Sequence, residues 1–176
     1  MASKKCLLVM DVQFGMFNLS RPLFKSDSLL NNILELVQKA RLENIPIIFI
    51  QHCGGEKSPF KKGTTGWHIH PSIIPCENDY FIEKKFADSF QDSGLLELLN
   101  KLEVENIVVC GLVTEGCIDT TVRRAFSLGY KIELAGDSHS TTDSNVLTAE
   151  QIINHHNEVL KIFSEVKEAC SITFNS

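Results

Sequence analysis

Five short apolar runs recur along this chain: Cys6–Met10 (CLLVM), Ile47–Ile50 (IIFI), Tyr80–Glu83 (YFIE), Asn106–Cys110 (NIVVC) and Lys131–Ala135 (KIELA). A continuous apolar run this short suits a strand that is buried on both faces. Helix-periodic stretches lie between the runs. Leu29, Ile33, Leu36, Val37 and Ala40 recur at helical spacing within residues 28–44. Leu95, Leu98, Leu99 and Leu102 mark a second helix, with Asp92 or Ser93 as its N-cap. Residues 115–128 form a third, carrying Ile118, Val122 and Ala125 on one face and ending at Gly129. Thr148-Ala149-Glu150-Gln151 reads as a capping box that starts a fourth. Phe163–Val166 is read as an edge strand. Alternating strands and helices with short connections define an α/β fold. The expectation is a three-layer α/β/α sandwich around a mainly parallel six-stranded sheet, in one domain spanning 1–176. No repeat, low-complexity tract or Gly/Ser linker divides the chain.

Composition narrows the partners. The formal net charge is -5 and no basic stripe stands out, which argues against nucleic acid. No stretch approaches the roughly 20 apolar residues of a membrane span. The opening MASKK lacks a secretory pattern, because Asp11 stops the apolar run that follows it. The six cysteines at 6, 53, 76, 110, 117 and 170 form no C-x-x-C pair. They read as free thiols in a reducing cytoplasm.

In parallel sheets, ligands bind at the carboxyl ends of the strands. The first strand ends in Asp11, the third in Glu83-Lys84-Lys85, and the fourth in Gly111 with Cys117 opening the next helix. Taken singly, an acid after a strand suits a turn, paired lysines suit a solvated face, and a cysteine suits a core. Placed on one rim they make a working set. A helix N-terminus is expected to lower the Cys117 pKa, and Gly116 clears the approach to the thiol. Asp11 would take the thiol proton. Lys84 would stabilise the thiolate and hold the carboxylate. Backbone N–H groups of the turn from Gly111 to Cys117 would receive the charge on an attacked carbonyl oxygen.

These residues carry a resemblance. LLVMDVQ at 7–13, IEKKFADSF at 82–90, VVCGLVTEGCIDTTVRRAFSLGY at 108–130 and AGDSHS at 135–140 resemble the isochorismatase-like cysteine hydrolases. That group contains nicotinamidases, N-carbamoylsarcosine amidase and streptothricin hydrolases. The resemblance implies a Rossmann-type strand order and a catalytic triad of Asp11, Lys84 and Cys117. It selects Lys84 over Lys85, because the family lysine stands six residues before the Phe that matches Phe90. It implies a cis peptide between Leu112 and Val113, with the Val113 and Cys117 N–H groups as oxyanion hole. It also implies homodimers or homotetramers. Nicotinamidases of the group begin a metal site with Asp-x-His after the second strand. Here that stretch reads IIFIQHCGG, so neither a metal nor a typical nicotinamidase is expected, and no cofactor is needed. True isochorismatases cleave a vinyl ether and lack the cysteine, so Cys117 argues against that activity.

The longest irregular stretch, 52–73, reads as a loop over the pocket. His52, Gly66-Trp67 and Ile69-His70-Pro71 resemble a subgroup of general cysteine hydrolases. His52 and Phe17 are candidates to line a substrate pocket. Trp67 reads equally as a pocket wall or a loop anchor. His68 and His70 have alternate spacing, but two histidines without a third ligand make a poor metal site. Gln13 would brace the loop. His139 is read as structural, and His155-His156-Asn157 as a polar patch that bonds to a loop or a neighbouring subunit. The leading expectation is a cysteine hydrolase that cleaves a C–N amide-type bond of a small molecule. The alternatives are a non-catalytic scaffold and a redox-responsive thiol protein.

Overall fold

A computed structural model of the chain describes residues 4–174. Met1–Ser3, which open the MASKK segment, and the final two residues lie outside the described part of the expected 1–176 domain. Six strands, β1 (Lys5–Met10), β2 (Ile47–His52), β3 (Tyr80–Lys84), β4 (Asn106–Leu112), β5 (Lys131–Ser140) and β6 (Glu165–Lys167), form one sheet in the order β3-β2-β1-β4-β5-β6. Every pairing is parallel. Four α-helices, α1 (Ser26–Leu42), α2 (Leu95–Lys101), α3 (Asp119–Ser127) and α4 (Ala149–Leu160), complete the three layers. None is long and apolar enough to cross a membrane.

Side chains alternate across a strand, so each apolar run feeds two cores. From β1, Leu7 and Val9 join Phe49, Val108 and the apolar stripe of α1 (Leu29, Ile33, Leu36, Val37 and Ala40). Cys6, Leu8 and Met10 point the other way. They meet Ile48, Ile50 and Val109, with Leu95 and Leu99 of α2 and Val122 and Ala125 of α3. Each such side chain, fully buried, stabilises by about 1.5–3 kcal/mol. This two-sided burial leaves no polar position in the middle of CLLVM.

The ends of the elements depart from the expected bounds. β5 continues to Ser140 rather than stopping at Ala135, because its register against β4 shifts between Val109 and Gly111 and pairing resumes at His139. The edge strand is Glu165–Lys167 rather than 163–166. The third helix opens with a π-turn, Thr114–Ile118, before α3 begins. Gly94, in a left-handed conformation, takes the N-cap position of α2, and Ser93 Oγ accepts the Leu95 N–H at 3.1 Å. The capping box at Thr148 and Gln151 is formed.

β1 and β4 meet closely where Met10 pairs with Gly111. Gly111 has φ +122, and a Cβ there would stand 2.0 Å from the Met10 carbonyl oxygen. Only glycine fits. Gly111→Ala is therefore expected to cost at least about 3 kcal/mol of stability in urea unfolding. A variant within about 1 kcal/mol of the wild type would contradict this account of the strand contact.

Candidate active site

The strand order reverses between β1 and β4, and in open parallel sheets ligands bind outside the carboxyl ends of the strands at such a switch point. Asp11 follows β1 with φ 52, a left-handed conformation that Asp tolerates better than most side chains. Its N–H still bonds Ile50 O at 2.9 Å, so the chain turns while anchored to β2. Cys117 sits in the π-turn after β4, where Ile118 N–H reaches back to Val113 O at 3.2 Å. The Leu112–Val113 peptide is cis. Lys84 ends β3, two strands from Asp11, roughly 10 Å at the usual strand spacing. Only a long side chain spans that gap.

Lys84 spans it. Its Nζ lies 2.7 Å from Asp11 Oδ2, with both side chains fully buried. The same ammonium faces the carbonyl oxygens of Phe86 and Ala87 at 3.3 and 3.4 Å. That turn is fixed in place: Ser89 N–H donates to Thr121 Oγ1 of α3 at 3.1 Å, and Asp88 Oδ1 accepts the Phe90 N–H at 2.8 Å. The KKFADSF stretch therefore builds a cradle for one ammonium. Lys85 points outward and is exposed. Cys117 Sγ is close enough to Asp11 and Lys84 to interact with both. The three sequence-predicted groups do converge.

Their electrostatics correct one expectation. The helix-end position was expected to lower the Cys117 pKa. Burial instead pushes it up and the Asp11 carboxylate adds to this, while Lys84 offsets part, leaving it at about 11. Burial pulls the Lys84 ammonium down, but the Asp11 charge and Cys117 outweigh it and hold it above its ordinary value. The physical reason is charge count. Carboxylate and ammonium cancel, and a thiolate added to them would leave an uncompensated buried negative charge. A thiolate whose proton moves onto Asp11 keeps the sum at zero. The Asp11 carboxylate lies within interaction distance of the thiol, so it is placed to take that proton.

His52 on β2 pairs in register with Lys84 on β3. Burial lowers its pKa, the Asp11 charge raises it and the Lys84 charge lowers it, for a net fall. Its Nδ1 is buried without a hydrogen-bond partner. Gln13 braces the overlying loop as expected: Nε2 donates to His52 O at 3.1 Å and Trp67 O at 2.7 Å, and Oε1 accepts the His52 N–H at 2.9 Å. Gln51, which the sequence marks only as standing where an acid-led metal site would begin, adds a donor to Trp67 O at 3.0 Å. A polar residue ending an apolar strand was its one visible signal. Trp67 takes the anchor role: its carbonyl holds both glutamines and its indole Nε1 lies 3.2 Å from Cys53 Sγ. Phe17 packs on His70, ring centres 4.5 Å apart. Among the described residues, no three of His, Cys, Asp or Glu are grouped to hold a metal ion.

A doubly wound parallel sheet of this strand order is the fold of a recognised family of enzymes. Residues 5–160 match the Isochorismatase domain, and the chain belongs to the isochorismatase family. It is similar to streptothricin hydrolase of Streptomyces noursei, 30% identical over 79% of this chain and 50% of the relative. It is also similar to nicotinamidase 3 of Arabidopsis thaliana, 27% identical over 77% of this chain and 72% of the relative. The chain thus spans about half the length of the streptothricin hydrolase it matches. Among solved structures, an isochorismatase from Pseudomonas putida KT2440 superposes with a TM-score of 0.92 at 28% identity, covering 97% of this chain and 92% of that one.

The charge argument makes an asymmetric prediction. Asp11→Asn removes the like charge that raises the Cys117 pKa and leaves Lys84 to favour the thiolate. Labelling of Cys117 by iodoacetamide near neutral pH should become at least about tenfold faster, a fall of one pKa unit or more. Slower labelling in this variant would refute the charge count.

Proposed function

We propose that the chain is a cysteine-dependent hydrolase that cleaves a C–N amide-type bond of a small molecule. The observation that supports this best is the charge-balanced set of Asp11 and Lys84, both buried, with the half-buried Cys117 beside them at the carboxyl ends of the strands. Cys117 passes its proton to Asp11 as Sγ attacks the carbonyl carbon. The C=O π bond breaks, and its electrons move to oxygen. The Val113 and Cys117 N–H groups receive this oxyanion, which favours the tetrahedral state over the planar ground state. The C–N bond then breaks. Asp11 returns its proton to the departing nitrogen, leaving a thioester on Cys117. Water attacks the thioester, giving one proton to Asp11 and releasing the acid. The proton then returns to sulfur.

Lys84 stays charged throughout, holding the carboxylate and balancing negative charge on sulfur or oxygen. No cofactor enters this sequence. His52, with an unpartnered Nδ1 beside the charged pair, supplies a hydrogen-bonding site for a polar group of the substrate. The relatives called streptothricin hydrolase and nicotinamidase 3 support a hydrolytic reading, and the second supports an amide. The redox alternative is weaker, because Cys110, the thiol nearest in sequence, is sealed in β4 and burial pushes its pKa up.

A screen of small primary amides and lactams, following amine or ammonia release, tests the reading. Turnover should fall to background in Cys117→Ala. Asp11→Asn should lower kcat by about 10²–10⁴-fold, because its carboxamide neither takes nor returns the proton. Turnover that survives Cys117→Ala would end the proposal.

A further inference from the structure

Two sequence motifs that take no part in the chemistry meet behind the catalytic turn. Thr114 lies between the two residues whose N–H groups would bind the oxyanion, and it is fully buried. Its Oγ1 is 2.9 Å from Nδ1 of His139, itself buried at the end of β5. The other ring nitrogen, Nε2, is 2.8 Å from Oδ1 of Asn157 on α4. Asn157 Nδ2 donates to Gly136 O at 2.9 Å.

This chain of contacts assigns its own hydrogens. A carbonyl oxygen only accepts, so the amide nitrogen of Asn157 must face Gly136 and its oxygen must face His139. His139 therefore carries its hydrogen on Nε2. Nδ1 of the neutral ring is an acceptor, and the Thr114 hydroxyl donates to it. Burial pulls the His139 pKa down to about 4, with Asn157 raising it, His156 lowering it and Asp137 raising it, so the ring is neutral near pH 7. The backbone is shaped around these contacts. The register shift in β5 brings His139 opposite Gly111. At Gly136, a Cβ would stand 3.2 Å from Asn157 Oδ1, so a larger residue would crowd the amide. A second tether, Thr141 Oγ1 to Glu115 Oε1 at 2.9 Å, joins the same strand end to the same turn.

We propose that Thr114, His139 and Asn157 form a positioning relay for the oxyanion-binding turn, through which α4 and the end of β5 set the orientation of the Val113 and Cys117 N–H groups. The relay rests on the cysteine-hydrolase reading above. None of its three side chains is assigned a contact with substrate. An oxyanion donor is effective only when aimed at the oxygen of the tetrahedral state, so a small rotation of the turn weakens that state more than it weakens substrate binding.

A small aldehyde isolates this step without knowledge of the substrate. Propanal adds to a cysteine thiol. The S–C bond forms, the C=O π bond breaks and the thiol proton ends on oxygen, giving a hemithioacetal whose oxygen occupies the oxyanion site. Titration of propanal labelled with carbon-13 at its carbonyl, followed by NMR, gives its affinity. Thr114→Val and His139→Phe should each weaken the adduct at least about tenfold, a fraction of the effect of deleting an oxyanion donor. Thr114→Ser, which keeps the hydroxyl, should restore affinity to within about threefold. The double variant Thr114→Val/His139→Phe should lose no more than the weaker single variant, since both cut one chain. Iodoacetamide labelling of Cys117, which forms no oxyanion, should stay within about twofold in Thr114→Val. If Thr114→Val weakens labelling and adduct alike, or leaves the adduct unchanged, the relay is wrong. Thr114→Val keeps the side-chain shape, so this arm holds even if His139→Phe fails to fold. If the wild type forms no adduct, there is no oxyanion site for the relay to orient and it falls. An adduct that survives Cys117→Ala overturns the nucleophile assignment and the relay together. An adduct lost in Cys117→Ala but indifferent to Thr114→Val overturns the relay alone.

Discussion

A lysine ammonium and an aspartate carboxylate share a dry space at the mouth of this sheet, 2.7 Å apart and closed to solvent. Neither would be stable there alone. Desolvating an isolated charge costs several kcal/mol, and only close pairing with further hydrogen-bond partners offsets it. Lys84 has those partners in the carbonyls of Phe86 and Ala87. The turn that presents them is in turn held to α3 by Ser89 and Thr121. The pair thus joins β1, β3 and α3 across β2. Its main return is chemical rather than energetic, since buried ion pairs are a weak source of net stability.

The same pair sets how the thiol behaves. An isolated cysteine at a helix start is commonly activated by the helix dipole. Here a carboxylate stands beside the thiol and, with burial, holds it protonated. In the proposed mechanism the nucleophile would be formed by transfer within the site rather than stored as a standing thiolate. The proton acquired by Asp11 would be the one a departing amine needs. One group would then serve both halves of the proposed reaction, and storing the thiol protonated would limit stray oxidation or alkylation of Cys117.

Much of the fold was legible because two-sided burial writes itself as unbroken apolar runs such as CLLVM and NIVVC. The rim was legible because Asp11, Lys84 and Cys117 each follow such a run. The ends of elements were less so. Gly136-Asp137 looks like the turn that ends a strand, yet β5 runs on to Ser140 by shifting its register. A stretch that looks uniformly helical from residue 115 starts instead as a π-turn, Thr114–Ile118. The Cys117 pKa was misjudged because local position shows the dipole and not the carboxylate that the fold brings beside it. The Thr114–His139–Asn157 chain was invisible, because its members are 25 and 18 residues apart and only the folded state adds them up. The loop-bracing bond of Gln51 was hidden for the same reason: its partner, the Trp67 carbonyl, lies in a loop with no periodicity.

Everything at the site depends on Asp11 and Lys84 being coupled as a buried pair, and a double-mutant cycle in urea measures that coupling most directly. Lys84→Met alone leaves a carboxylate stranded and should destabilise by about 3–5 kcal/mol. Asp11→Asn combined with Lys84→Met removes both charges and should recover at least about half of that loss. Costs that simply add, with Lys84→Met as mild as a surface substitution, would contradict the pairing and with it the account of the thiol.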